Sequence, residues 1–115
     1  MWTGVTAKAE THFSAAGQRA LLVQMAVAEV TGVELARICA PKRGDPRAAL
    51  ARQMAMYLCH VVFHMNAAQV GLAFGRDRKT VCHALRRIEE LREDLEFDRA
   101  LGWLETSLSR AGDRP

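Results

Sequence analysis

Apolar residues recur along this chain at helical spacings of three and four positions, and no segment alternates apolar and polar residues over the length of a strand. The first helical block covers residues 14–31 and ends at Gly32, a residue type common just after helix C-termini. Its apolar positions cover much of the helix circumference; they are Leu21, Leu22, Met25, Val27 and Val30. We expect either a helix buried on more than one side or one that packs against a partner.

Further helical blocks follow, so the pattern predicts an all-α protein of about five to six helices. Asn66 and Gln69 have the spacing of a capping box, and Asp77 is placed to cap the helix after it. Gly75 separates these two capped segments. The predicted segments cover residues 33–38, 48–63, 67–74, 78–92 and 97–109, with a loop at 40–47 that contains two prolines and a glycine.

The length of 115 residues fits a single domain, which we place at residues 14–109 between a flexible N-terminal tail (1–13) and a C-terminal tail (110–115). Half of the residues are hydrophobic, which excludes a disordered chain. No G-x-x-x-x-G-K-[ST] motif is present, so an ATPase module is not expected. Three cysteines without a C-x-x-C pair, no signal-peptide pattern and no apolar span of membrane length favour a cytoplasmic protein.

The net charge of +3 is unevenly distributed along the chain. Residues 42–52 sum to +3 and residues 76–87 to +4, whereas residues 93–105 sum to −4. Two basic segments therefore stand against one acidic segment. We expect the acidic segment either to be a solvated face turned away from an anionic ligand or to meet a protein partner.

The sequence predicts a helix-turn-helix at residues 67–92, because a short capped helix is followed by a turn at Gly75 and a second capped helix. In the second helix Val81, Leu85, Ile88 and Leu91 share one face, so the polar side chains of that helix point outward. Cations in its first turn oppose the helix dipole and therefore lower the stability of the helix, unless an anion binds there. A helix of this kind lies in the DNA major groove. The alternative is a solvated basic face.

The segment FGRDRKTVCHALRRIE (74–89) closely resembles the signature of the C-terminal DNA-binding domain, domain IV, of the bacterial replication initiator DnaA, whose pattern is roughly F-G-G-R-D-H-T-T-V-x-H-A-x-x-K/R-I. The segment ARQMAMYL (51–58) is similar to the start of the preceding helix of that domain. The resemblance extends over about residues 23–108. It implies the helix-turn-helix fold of domain IV, which is of the Trp-repressor-like type, in a bacterial protein that binds double-stranded DNA.

The resemblance also implies roles for particular residues. One of Lys42, Arg43 and Arg47 would enter the minor groove from the basic loop. Phosphate or groove contacts would come from Arg52 and Gln53, from His60, and from the N-terminal amides of Ala67 and Ala68. Major-groove contacts would come from Asp77, Thr80 and His83, and the basic side chains Arg76, Arg78, Lys79 and Arg87 complete the predicted interface. Where the family has His-Thr-Thr this chain has Arg78, Lys79 and Thr80, which favours guanine contacts or additional phosphate contacts.

Other residue clusters have simpler interpretations. His60 and His64, with Cys59 adjacent, have a spacing that can bind a metal, but no third ligand follows at a suitable distance, so we expect no metal site and no cofactor. Cys82 is expected to be a small buried residue, and Trp103 to pack the last helix onto the domain. Met54 and Met56 are expected in the core. No catalytic constellation is present, so an enzyme is not expected.

The leading hypothesis is a sequence-specific, nucleoid-associated DNA-binding protein that regulates transcription together with a partner protein, which it would contact through its first helix or its acidic C-terminal segment. A modulator of chromosome replication, acting at the origin or on the initiator, is a second hypothesis. The third is a protein-interaction module that has lost specific DNA binding.

Overall fold

Six helices make up the part of the chain that the computed structural model describes, residues 14–40 and 45–112, and no strand occurs within it. The six helices are α1 (Ala15–Thr31), α2 (Leu35–Ile38), α3 (Pro46–Phe63), α4 (Ala67–Phe74), α5 (Arg78–Leu91) and α6 (Leu95–Gly112). This confirms the all-α prediction. The N-terminal tail expected at residues 1–13 lies outside the described residues, as do residues 113–115 of the C-terminal tail expected at 110–115. Residues 110–112 of that expected tail belong to α6.

Short polar side chains fix the N-termini of α1, α3, α4 and α5 by local hydrogen bonds. The Ser14 hydroxyl accepts the amide of Gly17 at 3.0 Å, and Asn66 and Gln69 form the predicted capping box. Helix α3 begins two residues before the predicted start at Ala48, because Asp45 caps it and Pro46 occupies the first turn. A proline is tolerated there because the amide it lacks has no acceptor within the helix.

Helix α3 is the centre of the domain and packs against each of the other five helices. All nine residues from Ala51 to Cys59 except Gln53 are buried, including Met54 and Met56, as predicted. Buried aliphatic side chains of the other long helices surround it. They are Ala20, Val23 and Val27 of α1, Val81, Ala84 and Ile88 of α5, and Leu101, Leu104 and Leu108 of α6.

The apolar circumference of α1 is buried on one side only. Residues 20, 23, 24 and 27, at i, i+3, i+4 and i+7, face the core, whereas Leu21 and Met25 are 42% and 53% exposed. Leu22 and Val30 are also exposed. The prediction of a helix buried on more than one side is therefore wrong for the part of the fold described, and the alternative, a helix with a face free for a partner, remains.

Two further side-chain predictions are wrong. Trp103 is 62% exposed, because Leu101, Leu104 and Leu108 occupy the core face of α6 and Trp103, two residues from Leu101, points away from it. Cys82 is exposed, because Val81 and Ala84 occupy the core face of α5. None of the described helices is long and apolar enough to cross a membrane.

Candidate nucleic-acid interface

The turn between α4 and α5 depends on two glycines. Gly75 ends α4 with φ of 65°, a left-handed conformation that favours glycine. The amide of Arg76 then donates to the carbonyl of Gly71 at 2.9 Å. A Cβ at Gly71 would lie 2.6 Å from the carbonyl oxygen of Arg76, so only glycine allows this close approach of the turn to the helix.

Asp77 starts α5 by accepting the amide of Thr80 at 2.7 Å, as predicted. This hydrogen bond lowers the pKa of Asp77, so the carboxylate remains charged at neutral pH. A negative charge at a helix N-terminus is favourable, and it sits beside the cations of the first turn, Arg78 and Lys79. The cap therefore stabilises the end of the helix at which the basic side chains begin.

A groove of about 720 Å³ runs along the surface between α3 and α5. Helix α3 lines it with Ala49, Arg52, Gln53 and Met56, at i, i+3, i+4 and i+7; helix α5 lines it with Thr80, His83, Ala84 and Arg87 at the same spacing. Arg76 and Asp77 of the turn and Lys79 of the first turn of α5 complete the lining. Eight of the residues predicted from the sequence to contact DNA thus meet on one surface: Arg52, Gln53, Arg76, Asp77, Lys79, Thr80, His83 and Arg87.

The groove is basic. Four cationic side chains and one carboxylate line it, which gives a formal charge of +3, and the carboxylate of Asp77 already accepts the capping hydrogen bond. Across the groove, the guanidinium of Arg87 donates to the side-chain oxygen of Gln53 at 3.0 Å. Because that oxygen is engaged, Gln53 presents its amide NH₂ as the donor available to a ligand. A surface of this kind suits an anionic ligand with hydrogen-bond acceptors.

Two of the arginines in the groove bind backbone carbonyls. Arg52, only 7% exposed, donates through Nε to the carbonyl of Ile38 at 2.8 Å and through a terminal nitrogen to that of Arg37 at 3.0 Å. Arg76 donates to the carbonyl of Ala40 at 2.9 Å. Burial, followed by the nearby charge of Arg76, lowers the pKa of Arg52. The sequence did not predict these backbone contacts.

The remaining predicted contacts lie away from the groove lining. Arg47, exposed at the start of α3, donates to the carbonyl of Thr31 at 3.0 Å, and the Nδ1 of His60 lies 2.8 Å from the carbonyl of Met65. Ala67 and Ala68 form the first turn of α4, and Arg78 is exposed at the first position of α5. Lys42 and Arg43 lie outside the described residues.

Sequence reasoning missed the three apolar residues of the groove, Ala49, Met56 and Ala84. A signal for Ala49 and Met56 was present, because residues 49, 52, 53 and 56 share one helical face and Arg52 and Gln53 of that face were already predicted to contact DNA.

The alternative metal site near the end of α3 gains no support. No group of three potential ligands occurs among the described residues. Cys59 is fully buried, and burial raises the pKa of its thiol to about 12. His64 ends α3 with φ of 57°, and its backbone amide donates to the carbonyl of Cys59. Cys59 and His64 thus form the backbone hydrogen bond that ends α3.

A helix-turn-helix with a basic groove along its second helix defines the class: this is a DNA-binding helix-turn-helix protein. Residues 21–88 match the family model for the bacterial DnaA protein helix-turn-helix, so the chain belongs to that family, a non-catalytic one. The chromosomal replication initiator protein DnaA of Ruegeria sp. (strain TM1040) is 41% identical over 71 residues, which cover 61% of this chain and 15% of that protein.

A solved structure described as that of a DNA replication initiation factor superimposes with a TM-score of 0.74 at 29% sequence identity. The alignment covers 96% of this chain and 33% of the other. The present chain therefore spans about a third of that structure's chain, and the matched part spans about a seventh of the Ruegeria initiator. The similarity therefore concerns this domain and not the activity of either longer protein as a whole.

Proposed function

We propose that this protein is a sequence-specific binder of double-stranded DNA that regulates transcription together with a partner protein. The observation that carries this proposal is the groove between α3 and α5, where eight predicted contact residues meet on a surface of formal charge +3. In the proposal, α5 enters the major groove, and Lys79, Thr80, His83 and Arg87 reach base edges or nearby phosphates. Gln53 faces them across the groove.

Further contacts flank the recognition helix in this proposal. The capping box uses the amides of Asn66 and Gln69, and the amides of Ala67 and Ala68 lie between them at the N-terminus of α4, a position that suits a phosphate. Arg78, at the first position of α5, lies next to the DNA backbone, and Asp77, the N-cap of that helix, contacts the major groove. His60 contacts phosphate, and Lys42, Arg43 or Arg47 contacts the minor groove.

The partner protein would bind the outward face of α1, where Leu21, Leu22 and Met25 are exposed. The acidic segment is a weaker candidate, since three of its five carboxylates have partners within the chain. Asp94 accepts the amide of Phe97, and Asp98 and Glu105 bind Arg92. A role in replication, at the origin or on the initiator, is the second candidate function, favoured by the initiator relatives that share this domain. Either role would place the protein at the nucleoid.

Lys79→Ala and His83→Ala test the recognition surface. The DNA site is first selected from random or genomic fragments with the wild-type protein, and affinity is then measured by electrophoretic shift. We expect each variant to lose about 1–3 kcal/mol of discrimination against a mismatched site, because each removes a base contact of α5. Arg99→Ala is the control, since it removes one charge from the exposed surface of α6, outside the groove.

Unchanged shifts of both variants on the preferred site would reject the assignment of α5 as recognition helix. A shallow dependence of binding on salt, with no sequence preference in the selection, would instead favour the protein-interaction module. Chromosomal occupancy separates the two DNA-binding roles: occupancy at promoters supports transcription control, and occupancy confined to the origin supports replication control.

A further inference from the structure

Helix α1 carries a stripe of apolar side chains on the side that faces away from the core, called the α1 stripe below. Four of its large side chains are between 38% and 53% exposed: Leu21, Leu22, Met25 and Val30. Half-buried Ala26 lies among them, since it is four residues from both Leu22 and Val30 on the same helix. A contiguous apolar surface of this kind is typical of an interface, because it loses contact with water only when another apolar surface covers it.

The centre of the α1 stripe matches itself when a second copy of the helix runs in the opposite direction. Leu22 and Met25, at i and i+3, lie opposite the buried side of α1. With a two-fold axis between positions 23 and 24, Leu22 meets Met25 of the second copy, and Leu21 meets Ala26 of the second copy. The contacts at the centre of such a pair are therefore between apolar side chains.

The two ends of the α1 stripe carry opposite charges. Arg19 and Glu29 are both exposed, and neither forms a salt bridge with another residue in the described part of the chain. The guanidinium of Arg19 lies over the ring of Phe63, 5.6 Å from its centroid. Positions 19 and 29 are too far apart to pair within one helix, where partners are three or four residues apart.

These charges favour one direction of pairing. Because Arg19 and Glu29 lie at nearly equal distances on either side of the two-fold axis, an antiparallel second copy brings Arg19 of each chain next to Glu29 of the other. A parallel copy would instead place arginine beside arginine and glutamate beside glutamate, which is unfavourable. The face is therefore complementary to itself in charge as well as in apolar surface, as a two-fold interface requires.

We propose that α1 is a dimerisation helix, whose outward face binds the same face of an antiparallel second copy of this chain. Leu22 and Met25 form the centre of the interface, and Arg19 pairs with Glu29 of the second copy at each end. This names the partner that the proposed function places on α1, and it rests on that function for its consequence for DNA. Among the described residues, none of α1 lines the groove between α3 and α5, so each dimer carries two open grooves.

Sedimentation of the full chain without DNA tests this proposal. One helix face of roughly 17 Å is a small interface, so we expect a dimer that forms at micromolar concentrations. Met25→Glu is expected to raise the dimer dissociation constant about tenfold or more, because it buries a carboxylate among apolar side chains. Leu95→Glu is the matched control, since Leu95 is 61% exposed on α6, outside the α1 stripe.

A wild-type protein that stays monomeric from about 1 to 200 μM would overturn the proposal and leave the α1 stripe to a different protein. Equal association of the wild type and Met25→Glu would overturn it as well. Thermal denaturation checks that each variant is folded, and folding is expected because the replaced side chains are exposed.

Charge reversal tests the antiparallel direction. Arg19→Glu and Glu29→Arg each place like charges at both ends of the pair, so each is expected to weaken self-association about three- to tenfold. An equimolar mixture of the two variants is expected to associate again, because every end of the mixed dimer then has opposite charges. Loss of the contact between Arg19 and Phe63 would not be restored by mixing. A mixture that associates no better than either variant alone would overturn the proposal.

Failure of this proposal and failure of the proposed function give different results. Site selection without any sequence preference would reject the proposed function, whereas sedimentation would still show whether α1 joins two copies. A monomeric wild-type protein with a clear sequence preference would overturn the dimer and leave the recognition of DNA by α5 intact.

Discussion

At the residue scale, Gly71 and Gly102 both lie inside helices, but their surroundings differ. A Cβ at Gly71 would meet the backbone of Arg76 at 2.6 Å, whereas a Cβ at Gly102 would have no atom within 4 Å. A backbone oxygen cannot move aside as a flexible side chain can. The first glycine is required by the fold, and the second only lowers the stability of its helix.

We expect Gly71→Ala to destabilise the domain by about 1–3 kcal/mol, the usual cost of forcing extra volume into a packed site. Gly102→Ala is the matched control, and it is expected to stabilise the domain by about 0.5–1 kcal/mol because alanine loses less backbone entropy in a helix. Urea denaturation measures both. Equal stability of the two variants would contradict the close approach described for the turn.

At the scale of the element, the recognition helix depends on a cap made by an ionised carboxylate. The hydrogen bond from the Thr80 amide lowers the pKa of Asp77 below its ordinary value of 3.8. A group with a lowered pKa in the folded state contributes stability above its unfolded pKa, and this contribution is lost as pH falls through the folded pKa. The cap is therefore fully effective at neutral pH.

Asp77→Asn tests this dependence, since asparagine caps a helix comparably but carries no charge. We expect the stability of the wild-type protein relative to the variant to stay constant from pH 7 down toward 3.8, the ordinary pKa, and to decline as pH falls below it. Denaturation with urea at several pH values gives the difference directly. A constant difference between the two proteins across this range would show that the charge of Asp77 does not stabilise the fold.

At the scale of the whole molecule, Arg92 joins three helices at the end of α5. Its guanidinium binds Asp98 at 2.6 Å, the Tyr57 hydroxyl at 3.0 Å and both carboxylate oxygens of Glu105 at 3.0 and 3.1 Å. Tyr57 also donates to Glu89, and burial, followed by this hydrogen bond, raises the pKa of the tyrosine. The hydrogen bonds with Glu105 are the main cause that raises the pKa of Arg92.

Arg92→Met is expected to destabilise the domain by about 1–3 kcal/mol, because it leaves partly buried carboxylates without their charged donor. Arg99→Met, an exposed position on α6, is the control and is expected to change stability by no more than about 0.5 kcal/mol. Thermal or urea unfolding of the two variants provides the comparison. A similar small effect for both would mean that this cluster adds little to the packing of α6 against α3 and α5.

The sequence by itself determined the local features of this protein. Helix ends at Ser14, Asn66, Gly75 and Asp77 were predictable because a cap is formed by hydrogen bonds to backbone groups only three or four residues away. The helix-turn-helix followed from those ends, and its family from the residues between them. Most of the groove residues were predictable for the same reason: helical phase places 80, 83 and 87 on one side of α5.

Only the tertiary structure decided which of several possible faces each helix buries and which groups the long side chains contact. Periodicity gave α1 a broad apolar circumference, and packing against α3 selected one narrow stripe of it. Packing likewise decided that the side chains of Trp103 and Cys82 are exposed. Arg52 has partners 14 and 15 residues away, which no local pattern encodes, because hydrogen bonds between distant segments exist only after the helices have packed.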